Sequence, residues 1–306
     1  MQYMNQFLRT APFDLYELSL FDLVVKHQSF TKAAAEAGLT QSAITRQIQG
    51  VENSLGVQLL ERTTRMVSLT KAGEFLFQES SRLLGDVGES LRRLTEDFAN
   101  AKKEIRVGVS HSVCLAHLPG FLHANLHRQS KIKYSVFYQS GTDILAGLEV
   151  NELDLGILCP PSRLPRTLVT THHFKDAFTL IAPVELAERF QTISENARNS
   201  WLCGQTWLLF SDETNTGTRL RKWMAASRLK IEPAVQLDNF DLIITLVSIG
   251  MGVSFVPVRA LALYGRKKRL VRLPMPNRFE RELVVLTRKR RKQPEHLEEF
   301  VRNILF

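Results

Sequence analysis

Three residues, Gly38-Leu39-Thr40, constrain this chain more than any other feature, because they leave room only for a tight turn between two helical patterns. The first pattern runs from Ser29 to Ala37 and carries a capping serine and three alanines, Ala33-Ala34-Ala35, small enough for another helix to pack closely. Gly38 stops it by turning left-handed. The second pattern starts at Thr40, a capping residue, and closes at Gly56. Ile44, Ile48, Val51 and Leu55 recur along it at helical spacing and make one apolar face. Gln41, Ser42, Thr45, Arg46, Gln49 and Asn53 fall on another. A face of amides, hydroxyls and one guanidinium suits a helix lying in the DNA major groove. Gln pairs with adenine edges, Arg with guanine, and short hydroxyls with either base or phosphate. An ordinary amphipathic surface helix has the same pattern, so the neighbouring segments decide.

Upstream, Leu15, Leu18, Phe21 and Val25 form a further helical stripe. Together the three segments make a helix-turn-helix in which the second helix braces the third against the duplex. After Gly56, the run from Gln58 to Thr70 reads as two short strands around a turn, a wing whose Arg62 and Arg65 can reach phosphate or the minor groove. The order SFTKAAAEAGLTQSAITRQIQGVENSLGVQLLERTTRMVSLTKAGEFL resembles the DNA-binding end of a LysR-type transcriptional regulator. The match is nearly gapless over residues 15–76 and continues more weakly to the C-terminus. Ser42 departs from a common form of the family, which has Pro there; Ser serves equally well in a first helical turn. Motif and resemblance together give a DNA-contacting set of Thr31, Gln41, Ser42, Thr45, Arg46, Gln49, Arg62 and Arg65. The resemblance implies a bacterial, cytoplasmic, ligand-responsive regulator that binds double-stranded operator DNA and works with RNA polymerase.

A length of 306 residues implies two or more units. Residues 1–13 lack the apolar core of a signal peptide, and no run is long enough to span a membrane. Cys114, Cys159 and Cys203 are an odd, widely spaced set without a CxxC or metal-ligand pattern, which fits buried thiols in a reducing compartment; spacing gives no support to a peroxide-sensing pair. The net charge of +9 is no argument for DNA binding by itself. Acidic and basic residues roughly cancel over the first hundred positions. The excess sits in Arg266-Lys267-Lys268-Arg269 and Arg288-Lys289-Arg290-Arg291-Lys292, runs that read as solvated faces or as auxiliary contacts.

Thr70 to Phe98 is one long helical pattern with Leu76, Leu83, Val87, Leu91, Leu94 and Phe98 on a single stripe. At its rise such a helix reaches about 40 Å, more than one small domain covers. A lone stripe needs a partner, either the same chain or a second copy. The resemblance favours a linker helix pairing two subunits through Leu76, Leu83, Val87, Leu91 and Leu94, giving a homodimer or homotetramer.

From Glu104 onward strands alternate with helices, the pattern of a parallel, doubly wound sheet. The fold class is therefore α+β and α/β, and the resemblance implies a winged helix-turn-helix in 1–70, a linker dimerisation helix in 71–103 and an effector-binding domain in 104–306. That last part resembles a two-lobed periplasmic binding protein, with lobe one in 104–163 and 268–306 and lobe two in 164–267. Pro160, Pro161 and Pro165 mark the first crossing. Ligands of such sheets bind beyond the carboxyl ends of strands. There the chain offers Ser110, His111, Ser112, Ser140, Thr142, Thr216 and Thr218, mostly hydroxyls at helix starts, which either cap their helices or hold an anion. By resemblance they line the cleft of a small effector, a carboxylate being the natural class. Phe137, Tyr138 and Phe210 lie close by in sequence as an apolar wall. None of the seven is acidic.

Catalysis finds no pattern. His123 and His127 lack the zinc-protease Glu, His172-His173 lacks ligand spacing, and Ser112 lacks a nucleophile-elbow context. No metal, cofactor or catalytic residue is expected. An exported solute-binding protein would need a signal, and a lobe-type enzyme would need an acid or base converging with His111. Sequence leaves open the effector, the operator, and activation against repression.

Overall fold

The computed structural model describes residues 13–62, 67–99, 101–126, 132–264, 269–289 and 293–302. Arg65, His127 and most of the two basic runs, 266–268 and 290–292, fall outside these. The chain divides into two compact units, Met1–Ala101 and Lys102–Phe306.

The first unit opens with α1 (Leu15–His27), started by a reciprocal cap in which Glu17 N donates to Asp14 and Asp14 N donates back to Glu17. Next come α2 (Phe30–Ala37), capped by Ser29, and α3 (Gln41–Leu55), capped by Thr40. Gly38 takes φ +68° between them, a backbone state that a Cβ disfavours. Leu20, Phe21, Val24, Ala33, Ala34, Ile44, Ile48, Val51, Leu59 and Leu60 close one core. The stripe expected on α1 needs correction: Leu15 is exposed, and Leu20 and Val24 are buried instead. The small alanines Ala33 and Ala34 are enclosed between helices, which is why no larger side chain stands there.

The wing is β1 (Leu60–Arg62) paired antiparallel with β2 (Val67–Leu69). Glu52 near the end of α3 accepts from Leu59 N and Leu60 N at 2.9 and 3.1 Å, fixing the wing to the third helix. Thr70 caps α4 (Lys71–Phe98), the long helix. On it Leu83, Val87, Leu91, Leu94 and Phe98 are exposed. Leu76 is half-buried, packed against the core of its own unit.

In the second unit β3 (Glu104–Ser110) lies between β4 (Lys133–Gln139) and β5 (Leu155–Leu158), all parallel. The helices α5 (His111–Leu126) and α6 (Gly141–Glu149) connect them. The parallel order expected from the alternation holds for these three strands and changes at the next one. β6 (Leu168–Pro183) is 16 residues long, about 50 Å at strand rise, and passes from one lobe into the other. Its first part pairs antiparallel with β11 (Glu280–Arg288), which pairs antiparallel with β5. Its second part pairs with β9 (Ser254–Pro257) and β10 (Leu270–Leu273). Hence one mixed sheet, ordered β10-β6-β11-β5-β3-β4, runs through both lobes.

Lobe two adds α7 (Val184–Thr192), α8 (Glu195–Cys203), β7 (Leu208–Phe210), α9 (Asn215–Ala226), β8 (Val235–Leu237) and α10 (Phe240–Ser248). Its core includes Leu273 and Phe279 with Met275 against it, so the return to lobe one comes at β11 and not at residue 268. The outward crossing falls late in β6, past the prolines expected to mark it, because residues 168–177 still pair with β11. α11 (Glu295–Arg302) completes lobe one, with Leu297 and Phe300 in the core beside Ile105, Val107 and Val285.

Candidate functional site

On α3 the two faces separate cleanly. Ile44, Ile48 and Val51 are buried, while Gln41, Ser42, Arg46 and Gln49 are exposed. Thr45 is half-buried and its hydroxyl donates to the Gln41 carbonyl at 2.7 Å, so toward a partner it offers its oxygen and methyl group. Ser42 Oγ lies 3.1 Å from the capping Thr40 hydroxyl. Thr31 is exposed in the first turn of α2. Arg62 ends β1, next to the segment that holds Arg65.

The second unit holds a cavity of about 310 Å³ between its lobes, large enough for a small metabolite. Ser110, His111 and Ser112 reach it from the β3–α5 junction, and Ser140 and Thr142 from the start of α6. From lobe two come Phe210, Glu213, Thr214, Asn215, Thr216 and Asp238. Six of the seven expected effector residues therefore share one cavity. Thr218 does not: it is exposed, and its hydroxyl donates to the Asp212 carbonyl at 2.8 Å. Phe137 does not line it either, and Tyr138 instead stacks on His111 with ring centroids 4.1 Å apart. Burial, with the negative fields of Cys114, Asp238 and Asp241 after it, pushes the Tyr138 phenol up to about 12, so it stays protonated at neutral pH.

Capping accounts for part of the polar rim. Ser140 Oγ accepts from Asp143 N at 3.2 Å, donates to the Asp143 carboxylate at 2.6 Å and lies 2.8 Å from Thr142 Oγ1. The rim also carries two acids absent from the expected set, Glu213 and Asp238, the latter 3.1 Å from His111 Nδ1. The mouth thus carries acidic side chains, and any preference for an anion has to come from further in.

The inner end is where sequence reading missed most. Arg281 of β11 stands opposite Asp176 of β6, both side chains fully enclosed, with Nη2 2.8 Å from Asp176 Oδ2. Arg281 also reaches Thr216 Oγ1 at 2.7 Å and the Ser112 carbonyl at 2.6 Å. Asp176 Oδ1 lies 3.3 Å from His117 Nε2. A signal for the pair existed. Asp176 alternates in phase with Phe174 and Phe178, and Arg281 with Leu283 and Val285, and a charge in phase with core residues needs a buried partner.

Further bonds tie α9 to the chain after β5: Asn215 Nδ2 donates to the Cys159 carbonyl at 3.4 Å and Arg219 to the Pro160 carbonyl at 2.9 Å. Gly217, in the first turn of α9, packs against its own preceding loop. A Cβ there would lie 1.9 Å from the Ser211 carbonyl oxygen, which is backbone and cannot swing aside. Gly217→Ala should destabilise the unit by roughly 1–3 kcal/mol in thermal unfolding, since the α9 start has to shift. An unchanged melting curve would contradict the tight approach.

The cysteines are free: Cys159 is buried, Cys114 half-buried, and Cys203 exposed, contrary to the expectation of three buried thiols. Burial first, then Asp241, pushes the Cys114 thiol up, away from the reactive thiolate. Among the described residues no group of three His, Cys, Asp or Glu could hold a metal ion, and no helix is long and apolar enough to cross a membrane.

Residues 15–74 match the family model described as bacterial regulatory helix-turn-helix protein, lysR family, and residues 99–305 match the LysR substrate binding domain. The chain belongs to the LysR family of transcriptional regulators. Among its LysR relatives, the HTH-type transcriptional regulator BenM of Acinetobacter baylyi is 30% identical over 252 residues, covering 80% of either chain. The fold is also that of full-length CbnR solved with its target DNA, at TM-score 0.67 and 21% identity over 95% of this chain and 99% of that one. A full-length OxyR variant from Pseudomonas aeruginosa gives TM-score 0.68 and 18% identity over 95% and 94%. The LysR assignment gives the first unit the family's DNA-binding helix-turn-helix and the second its substrate-binding domain.

Proposed function

We propose that this protein binds a bacterial operator through α3 as a dimer or tetramer, acts on RNA polymerase in the cytoplasm, and is switched by a small acceptor-rich effector in the inter-lobe cleft. A carboxylate is the effector class that fits best. The observation that carries the reading is the division of α3. Its apolar face is sealed into the core while Gln41, Ser42, Arg46 and Gln49 stand outside with groove-reading chemistry.

The test uses duplexes selected by the full chain from a randomised pool. Arg46→Ala should weaken the selected site by about 1–3 kcal/mol, the worth of a bidentate guanine contact, and bind scrambled duplex almost as before. Equal loss on both duplexes would make Arg46 a phosphate contact and defeat the groove assignment.

A further inference from the structure

Arg281 stands behind Ser112 and Thr216, out of reach of a ligand in the cleft, yet it is bonded to both. Its Nε and Nη2 lie 3.0 and 2.8 Å from the same Asp176 oxygen, Nη2 lies 2.6 Å from the Ser112 carbonyl and Nη1 lies 2.7 Å from Thr216 Oγ1. The rings of Phe178 and Phe240 sit 5.1 and 5.8 Å from the guanidinium carbon and wall it in. Four short contacts, a carboxylate anchor and two aromatic rings leave the group no freedom to turn.

A guanidinium only donates. The Thr216 oxygen therefore accepts from Arg281, which leaves its own proton free for Ser112 Oγ, 3.3 Å off, or for the cavity beyond. That separation exceeds the usual O–H···O length, so the two hydroxyls do not satisfy each other well. An oxygen arriving from the cleft would take the Thr216 proton and the Ser112 proton together. Ser110 Oγ, 3.4 Å from Ser112 Oγ, is no better a partner. Arg281 thus biases Thr216 toward giving its proton, and Ser112 Oγ beside it has a second proton to offer an incoming oxygen, although every side chain facing the ligand there is a hydroxyl that in isolation gives or takes equally.

We propose that Arg281, anchored by Asp176, biases the Thr216–Ser112 pair toward donating and thereby selects effectors whose head group accepts at this point, a carboxylate over the matched amide because its charged oxygen accepts the stronger bond. The inference rests on the cleft being the effector site. Arg281 is a positioning residue that acts through Thr216, and Thr216 and Ser112 make the contact.

Two measurements on the full chain test it. The first needs no ligand: a double-mutant cycle of Arg281→Lys and Thr216→Val by thermal unfolding, the lysine keeping the charge beside Asp176. The double variant should lose less than the sum of the singles, since either change removes the same bond. Strict additivity means that bond contributes nothing and overturns the proposal. The second compares phenylacetate with phenylacetamide by calorimetry on wild type, Thr216→Val and Thr216→Ser, which share one net charge. Wild type should favour the carboxylate, Thr216→Val should narrow that ratio by about fivefold, the worth of one hydrogen bond, and Thr216→Ser should restore it. A purely structural role for Thr216 would weaken both probes alike, and that result also overturns the proposal. If neither probe binds wild type, the effector reading of the cleft fails and the selectivity claim with it, while the cycle separately decides whether the Arg281–Thr216 bond is real.

Discussion

Asp176→Asn should lower the melting temperature of the α/β unit by about 10 °C, the equivalent of roughly 3–5 kcal/mol lost when a buried ion pair loses one partner. The substitution keeps the shape of the side chain and removes its charge. Arg281, whose side chain is 0% exposed, then keeps a positive charge with no carboxylate beside it. Glu280→Gln, one strand position away, should do almost nothing. Its Lys175 partner is 3.7 Å distant, and the two side chains are 77% and 48% exposed, where solvent screens the pair. A double change of Asp176→Leu with Arg281→Met should cost less than Asp176→Asn alone, because no charge is left buried. If Asp176→Asn melts within a degree or two of wild type, the pair is not held as the structure shows.

The same carboxyl gives the protein a definite acid response. Burial raises the Asp176 pKa, while the His117 hydrogen bond and the Arg281 and His117 charges lower it, and the lowering wins over an ordinary value of 3.8. A group with a depressed folded-state pKa binds fewer protons when folded. It therefore stabilises the fold above its ordinary pKa and loses that contribution as pH falls below it, through the folded value. Wild type should accordingly lose stability more steeply than Asp176→Asn below about pH 4, and the two curves should run parallel near neutrality.

Local chemistry made most of the DNA-binding end legible in the sequence. The caps at Ser29, Thr40 and Thr70 and the left-handed glycines Gly38 and Gly56 are single-residue signals of element ends, and each sits where its residue type requires. The α/β unit was less legible because its organisation is non-local. Nothing near residue 168 announces that β6 continues past nine residues paired with β11 and then changes partners to β9 and β10. The site divides in the same way. Ser110, Ser112, Ser140 and Thr216 were found because strand ends are local features. Thr218 does not reach the cavity because the two-residue step from Thr216, about 200° around the helix, carries it to the other side, and its bond to the Asp212 carbonyl turns it away. Arg281 is 169 residues from Ser112 and was beyond any motif; only its phase among Leu283 and Val285 pointed inward.

Leu83→Asp with Leu94→Asp should abolish tight operator binding while leaving every residue of the reading face intact. In the single chain both leucines are exposed, at 49% and 56%, in a stripe with Val87, Leu91 and Phe98 that no element of the first unit covers among the described residues. A second copy of the helix covers such a stripe by burying the leucines, and a carboxylate placed there would be buried without a partner. Sedimentation should show the mass falling toward a monomer of 34.9 kDa. Two recognition helices on one assembly bind two half-sites at a high effective concentration, so their separation should weaken operator binding by roughly 100- to 10,000-fold. A duplex carrying a single half-site should bind variant and wild type alike, which separates loss of pairing from damage to α3. Each chain should also still unfold cooperatively, because neither leucine belongs to the buried core of its own unit. Should the double variant keep the wild-type mass and its operator affinity, the stripe is not the pairing surface, and the assembly has to be built elsewhere on the molecule.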